Sequence, residues 1–327
     1  MGVEKITVDL RTSLSARAFK KKESFYKKEL EDALKKFEAT LSTMEEHARV
    51  SQNGKGKSPW KKNALHIHEA IGIFGERGIG KTSFLLTLCQ EIEEKKEKEV
   101  CILPVVDPTL IERAELFLVT VISRIYDLIS DKIKNCDLEK RKRFNQAFSE
   151  LAKSLRVLQR DSYLKELAGD PEIFAIEALK DAKSGAKLAE YFHVFCETAL
   201  EILNKKFFVL PIDDIDMMLS RGKEILETIR KYFANDKIVI ILSGHLPLYR
   251  ILVKTAFFKQ LLETREKMVD KIPDVLSKEK DEIYHLVEDL TNQYLLKLIP
   301  HYNRIFLFGI NKKIWEKKID IEIEFSF

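Results

Sequence analysis

Gly75, Gly80, Lys81 and Thr82 stand at the spacing Gly-x-x-x-x-Gly-Lys-Thr, the pattern of a loop that wraps phosphate. The chemistry follows from the residue types. Glycines allow a turn whose successive backbone N–H groups point inward, and a helix opening at Lys81 adds its positive end to the same phosphate oxygens. Lys81 is expected to reach the β- and γ-phosphates of a nucleoside triphosphate and Thr82 to ligate its Mg²⁺. Gly75, Glu76, Arg77, Gly78, Ile79, Gly80, Lys81, Thr82 and Ser83 are the expected nucleotide-binding residues, with Gly78 adding freedom to the loop and Arg77 either contacting phosphate or, as preferred, turned to solvent.

A second group lies 132 residues after Lys81, where the apolar run Phe207–Ile212 ends in Asp213, Asp214 and, two residues on, Asp216. Neighbouring side chains of a strand face opposite ways, so Asp213 and Asp214 leave the strand end on different sides. Asp213 is expected to hold hydrated Mg²⁺ together with Thr82, and Asp214 to orient or deprotonate the attacking water. Pro211 conflicts with a place in a central strand because it has no N–H to donate, and a bulge or a missing hydrogen bond is expected there. A third apolar run, Ile238–Leu242, delivers Ser243 and His245. In an open parallel sheet, ligands sit at the carboxyl ends of the strands. Ser243 therefore either senses the γ-phosphate or places the water, or else simply caps the following turn. Asn-Lys-x-Asp, which would select guanine, is missing: Asn204-Lys-Lys-Phe and Asn311-Lys-Lys-Ile lack the aspartate. Adenine, and so ATP, is the default, with His66, Ile67 and His68 as neighbours of the base.

The elements that position these residues are legible from periodicity. Strands read at Ala70–Phe74, Val100–Val106, Phe207–Ile212, Ile238–Leu242 and Arg304–Phe308 alternate with amphipathic stripes such as Ala114, Leu118, Ile122, Ile125, Ile129 and Ile133. That alternation predicts a three-layer α/β/α fold around a mostly parallel sheet. Ahead of it, Tyr26, Leu30, Leu34, Phe37, Leu41, Met44 and Ala48 recur at helical spacing. They predict one long helix that packs on the domain or on a copy of itself, or else serves as a basic arm for an acidic partner. A polar Gly/Ser/Pro run over 51–59 follows as linker. The expected organisation is an N-terminal helical arm and linker over 1–59 and an ATPase domain over 60–310. Within the latter, 137–184 reads as a charge-rich helical insertion with few core positions, closed by Gly185. A strand-like tail over 311–327 completes the chain.

Bulk composition adds exclusions. At 327 residues the chain needs no staples to bury a core, and Cys89, Cys101, Cys136 and Cys196 are scattered without a paired or zinc-binding spacing. A cytoplasmic setting is expected, and no apolar run approaches the length of a membrane span. Charged residues make up 33% of the chain, yet the net charge is only +4, so charge alone does not single out a nucleic-acid partner. No basic motif interleaved with aromatics supports one.

These segments resemble the AAA+/STAND branch of P-loop ATPases, and within it the KAP-like and defence-associated bacterial NTPases. The resemblance is carried by Gly-Ile-Gly-Lys-Thr-Ser-Phe (78–84), Ile-Asp-Asp-Ile-Asp (212–216), Leu-Ser-Gly (242–244) and Tyr294-Leu-Leu-Lys-Leu-Ile-Pro300. It spans about 65–310. It implies an ATP-hydrolysing switch that forms homo-oligomers, acts with an effector protein and serves antiphage defence. The alternatives are an ATP-binding scaffold with negligible turnover, or a nucleic-acid-processing ATPase. The sequence departs from the pattern in having little room for a helical lid beyond 310. It also offers only Arg250 and Arg265 as arginines that could act on a neighbour's nucleotide.

Overall fold

A computed structural model describes residues 4–9, 16–20, 24–53, 69–111, 116–159, 171–218, 221–269, 279–309 and 321–326. In chain order the elements are β1 (Glu4–Asp9), α1 (Lys27–Asn53), β2 (Ile71–Phe74), α2 (Lys81–Lys96), β3 (Val100–Ile102), α3 (Leu116–Asn135), α4 (Leu138–Gln159) and α5 (Pro171–Leu203). They continue with β4 (Phe207–Ile212), α6 (Gly222–Thr228), β5 (Ile238–Gly244), α7 (Leu246–Val269), α8 (Glu279–Leu298), β6 (Arg304–Phe306) and β7 (Ile321–Ser326). Five strands form one parallel sheet in the order β3-β4-β5-β2-β6.

Strands β4 and β5 are buried along their whole length, as parallel strands covered on both faces must be. Their alternation sorts the core into two halves. Phe207, Val209, Val239 and Ile241 face α1 and α2, while Phe208, Leu210, Ile212, Ile238, Ile240 and Leu242 face α3, α5, α6, α7 and α8. The chain is thus a three-layer α/β/α sandwich. The stripe read along the N-terminal helix closes the first layer: Leu30, Leu34, Phe37, Leu41 and Met44 are all buried against that face of the sheet. Each such side chain contributes about 1.5–3 kcal/mol through burial.

Pro211 sits inside β4, and the sheet accommodates it on one side. Leu103 N donates to Val209 O, the next bond on that edge is Val106 N to Pro211 O, and Asp213 N then donates to Val106 O. One extra residue is therefore inserted between Leu103 and Val106, at the point where a regular partner would have offered its carbonyl to the missing N–H. The bulge shortens β3, which ends at Ile102 and returns only as a single bridge at Val106, where a strand to Val106 was expected. Arg124 holds the bulged carbonyls, donating to Pro104 O and Val105 O at 2.6 Å each.

Two further expectations are corrected. Gly185 does not end a helix: α5 runs unbroken from Pro171 to Leu203, since a single glycine costs only about 1 kcal/mol in a helix whose later turns are buried. The segment after 137 also supplies real core. Phe144, Ala147 and Leu151 of α4 are buried, and the Phe144 ring lies 5.5 Å from that of Phe195 on α5. Helix α1 runs to Asn53, past the expected start of the linker at Ser51, and residues 54–59 lie outside the described residues. The strand-like ends at β1 and β7 pair with each other, in parallel register from Glu4↔Ile321 to Asp9↔Ser326. All four cysteines are unpaired. Among the described residues no helix is long and apolar enough to cross a membrane.

Candidate nucleotide site

The buried strand β2 hands the chain to Gly75 at the carboxyl end of the sheet. Gly78 and Gly80 have φ of 83° and 89°, a left-handed backbone that only glycine adopts without strain. Nothing lies within 4 Å of where a Cβ would stand at either, so the glycines serve conformation and leave the inside of the loop open. Helix α2 starts at Lys81 with no side chain capping its first turn, which leaves its N–H groups available to an anion. Lys81 is largely buried, and its Nζ donates to Glu76 O at 3.1 Å across the loop. Glu76 and Arg77 are exposed; Ile79, Thr82 and Ser83 are half-buried. The Ser83 hydroxyl accepts a bond from Arg17 N at 3.4 Å.

The acidic group lies two strands away from the loop strand, with β5 between. Strand register pairs Ile73 with Ser243 on one side of β5 and Ile212 with Leu242 on the other. Ser243 thereby stands between the loop and Asp213. Asp213 is 6% exposed and its Oδ1 accepts the Ser243 hydroxyl. Asp214, half-buried and left-handed at φ 54°, leaves on the other side. Asp216 is buried; its Oδ2 accepts His245 N at 2.9 Å, while Oδ1 has no partner. Burial raises the pKa of Asp214, the charges of Asp213, Asp216 and Asp107 raise it further, and Lys81 opposes them. Burial also raises Asp216 against the bond from His245. The cluster is short of positive charge.

The KAP family P-loop domain matches residues 62–244 of the chain. The chain belongs to the KAP family of P-loop NTPases. No curated protein matches it at a significant level. The matched span ends on Gly244, the last residue of β5, so it contains the phosphate loop and the acidic group, while α7, α8 and β6 lie beyond it. As a P-loop NTPase domain, the KAP fold takes a nucleoside triphosphate as its ligand class.

Two sequence expectations are corrected in this KAP-family chain. Ser243 does not cap a helix start. Strand β5 continues through it to Gly244, the residue is fully buried, and its hydroxyl is spent on Asp213. It is a support for the carboxylate. Arg250 is not a free cation either: it donates to Glu288 Oε1 at 3.0 Å and Asn292 Oδ1 at 2.7 Å, tying α7 to α8. The side chain of Arg265 and the segment His66, Ile67 and His68 lie outside the described residues.

Other members of the site carried no assigned role in the sequence. Asp107 follows the β3 bulge, caps a turn by accepting Thr109 N at 2.9 Å, and acts on Asp214 through its charge. An Asp-Pro pair closing a strand at the ligand end of the sheet was the available signal. Tyr249, fully buried, donates to Ser243 O at 2.9 Å. Burial and then the charges of Asp216, Asp213 and Asp214 raise its phenol well above the ordinary range. Among the described residues no three His, Cys, Asp or Glu side chains converge to hold a metal by themselves.

Proposed function

We propose that this KAP domain binds Mg²⁺–ATP and hydrolyses it as the switch of an oligomeric assembly. The observation that carries the reading is the carboxylate group of Asp213, Asp214 and Asp216, deficient in positive charge, at the same sheet end as a glycine loop and Lys81. Lys81 would leave Glu76 O for the β- and γ-phosphates, and loop N–H groups with Ser83 would hold the rest of the chain of phosphates. Thr82 and Asp213 would hold Mg²⁺, Asp213 being fixed by Ser243. The ion supplies charge neutralisation on the phosphates when bound. Asp214 would take the proton of the attacking water, and its raised pKa makes it the better base for that step. ATP is preferred because no guanine-selecting motif is present. A cytoplasmic homo-oligomer that works with an effector protein in bacterial antiphage defence is the use that the resemblance favours.

A second reading, an ATP-binding regulatory module with negligible turnover, is favoured by the engagement of Arg250 with α8. A stimulating arginine can contribute about 10³–10⁵ in rate, and Arg250 would have to leave Glu288 and Asn292 to act. The two readings separate in one experiment. ATPase rate is measured against protein concentration, alongside the mass of the purified chain with and without a non-hydrolysable ATP analogue. The switch reading expects a larger mass with the analogue and a rate that rises more than linearly with concentration. A mass unchanged by the analogue, with a rate that is nil or strictly proportional to concentration, overturns it.

A further inference from the structure

Residues ahead of the matched domain also touch the phosphate loop. Tyr26 stands immediately before α1, 8% exposed, its ring edge-on to Phe25 and to Phe84 of α2 with centroids 5.1 and 5.9 Å away. Its hydroxyl donates to Ile79 O at 2.8 Å and lies 3.3 Å from Phe308 O, just past β6. Burial, and then the charge of Glu29, raise its phenol to about 12, so it remains a donor at any physiological pH. Two backbone bonds extend the attachment: Arg17 N to Ser83 Oγ at 3.4 Å and Phe19 N to Thr87 Oγ1 at 3.0 Å. Residues 16–20 and Tyr26 thus lie along the first turns of α2, beside the loop.

Ile79 separates Gly78 and Gly80, the two left-handed residues. The peptide bond from Ile79 to Gly80 is trans and planar, so its C=O and N–H point to opposite sides. A hydroxyl that holds the carbonyl toward α1 therefore holds the Gly80 N–H away from α1, toward the side where loop N–H groups meet phosphate. Gly80, on one side of that peptide, puts little steric limit on its φ, and the Tyr26 hydroxyl adds a restraint on the carbonyl side. We propose that Tyr26 is a positioning residue of the nucleotide site, fixing the Ile79–Gly80 peptide in its phosphate-binding orientation so that the N-terminal segment sets nucleotide affinity. This rests on the Mg²⁺–ATP reading above.

Tyr26→Phe keeps the ring packing and removes only the hydroxyl. Its Kd for a fluorescent ATP analogue should rise about three- to tenfold, the range of one lost hydrogen bond, with the loss appearing in KM and not in kcat. Hydrogen exchange in the nucleotide-free protein should quicken over Gly75–Lys81 and stay unchanged over Leu30–Leu41 of α1. If affinity and loop exchange match those of the parent chain, the proposal is wrong and the ATP reading stands. Should exchange quicken over α1 as well, Tyr26 is a core staple and the positioning role is overturned. A parent chain that fails to bind the analogue overturns the ATP reading, and this proposal with it.

Discussion

Buried carboxylates lie at both ends of the same sheet, in opposite circumstances. At the amino end Asp236, just before β5 and 4% exposed, has its partners built in: His193 Nε2 is 2.6 Å from one oxygen and Lys237 Nζ 3.6 Å from the other. Burial alone would raise its pKa, but the His193 bond and the Lys237 charge outweigh burial and hold it below the usual range. At the carboxyl end Asp214 and Asp216 are pushed up, by burial first and, at Asp214, then by neighbouring carboxylates. Both groups are products of the same fold, and on the Mg²⁺–ATP reading proposed above the difference is one of purpose. A carboxylate that serves stability is given its partner, whereas one that serves a ligand is left short of positive charge until the ligand brings it.

Four substitution effects test that contrast, in descending size. Asp214→Asn should lower ATP turnover by about 10²–10⁴ while leaving binding intact, because an amide fills the space but takes no proton. Asp213→Asn should instead weaken the Mg²⁺ dependence, and an exchange of the two phenotypes would reverse the assigned roles. Asp236→Asn should cost about 1–3 kcal/mol of stability, read as a lower Tm, since His193 and Lys237 lose their charged acceptor. The sign with pH follows from the depressed folded pKa. The stabilisation is present above the unfolded value near ~3.9 and is lost as pH falls through the folded value, so the variant should show a shallower acid loss than the parent.

The smallest effect has the opposite sign. Asp214 has a folded pKa above its unfolded one, so its contribution is fully present below about pH 4 and lost as pH rises through the folded value. At neutral pH the nucleotide-free Asp214→Asn protein should therefore melt slightly higher than the parent, the effect being reduced by solvent screening at this half-exposed group. Should Asp214→Asn and Asp236→Asn move Tm in the same direction, the two ends of the sheet are not different in kind.

Much of this was legible in the sequence, for reasons that differ by residue. The phosphate loop and the Asp213–Asp214 step are local patterns, fixed by spacing within a few residues of a strand end. Pro211 announced its own defect, and the bulge between Leu103 and Val106 answers it. The run of α5 through Gly185 could not be read, because a glycine at that spacing is as compatible with an end as with a tolerated interior residue. Ser243 reads equally as a phosphate sensor, a residue that places the water or a cap, because a hydroxyl at the end of an apolar run suits all three. Only the register with Ile73 and the partner carboxylate of Asp213 show it to be interior. Tyr26 was read correctly as part of an apolar stripe, but its hydroxyl contact to Ile79 joins residues 53 apart. Periodicity carries no information about such a meeting.

On the proposed reading, the carboxyl end of the sheet is a site for Mg²⁺–nucleotide organised around Lys81. Calorimetric titration of Mg²⁺–ATP into the parent chain and into Lys81→Ala tests it most directly. Saturable binding to the parent is expected, with affinity weaker by on the order of a hundredfold in the variant, which loses a charge-assisted contact to phosphate. Binding by Lys81→Ala within about twofold of the parent, a difference too small for even one such contact, would contradict it.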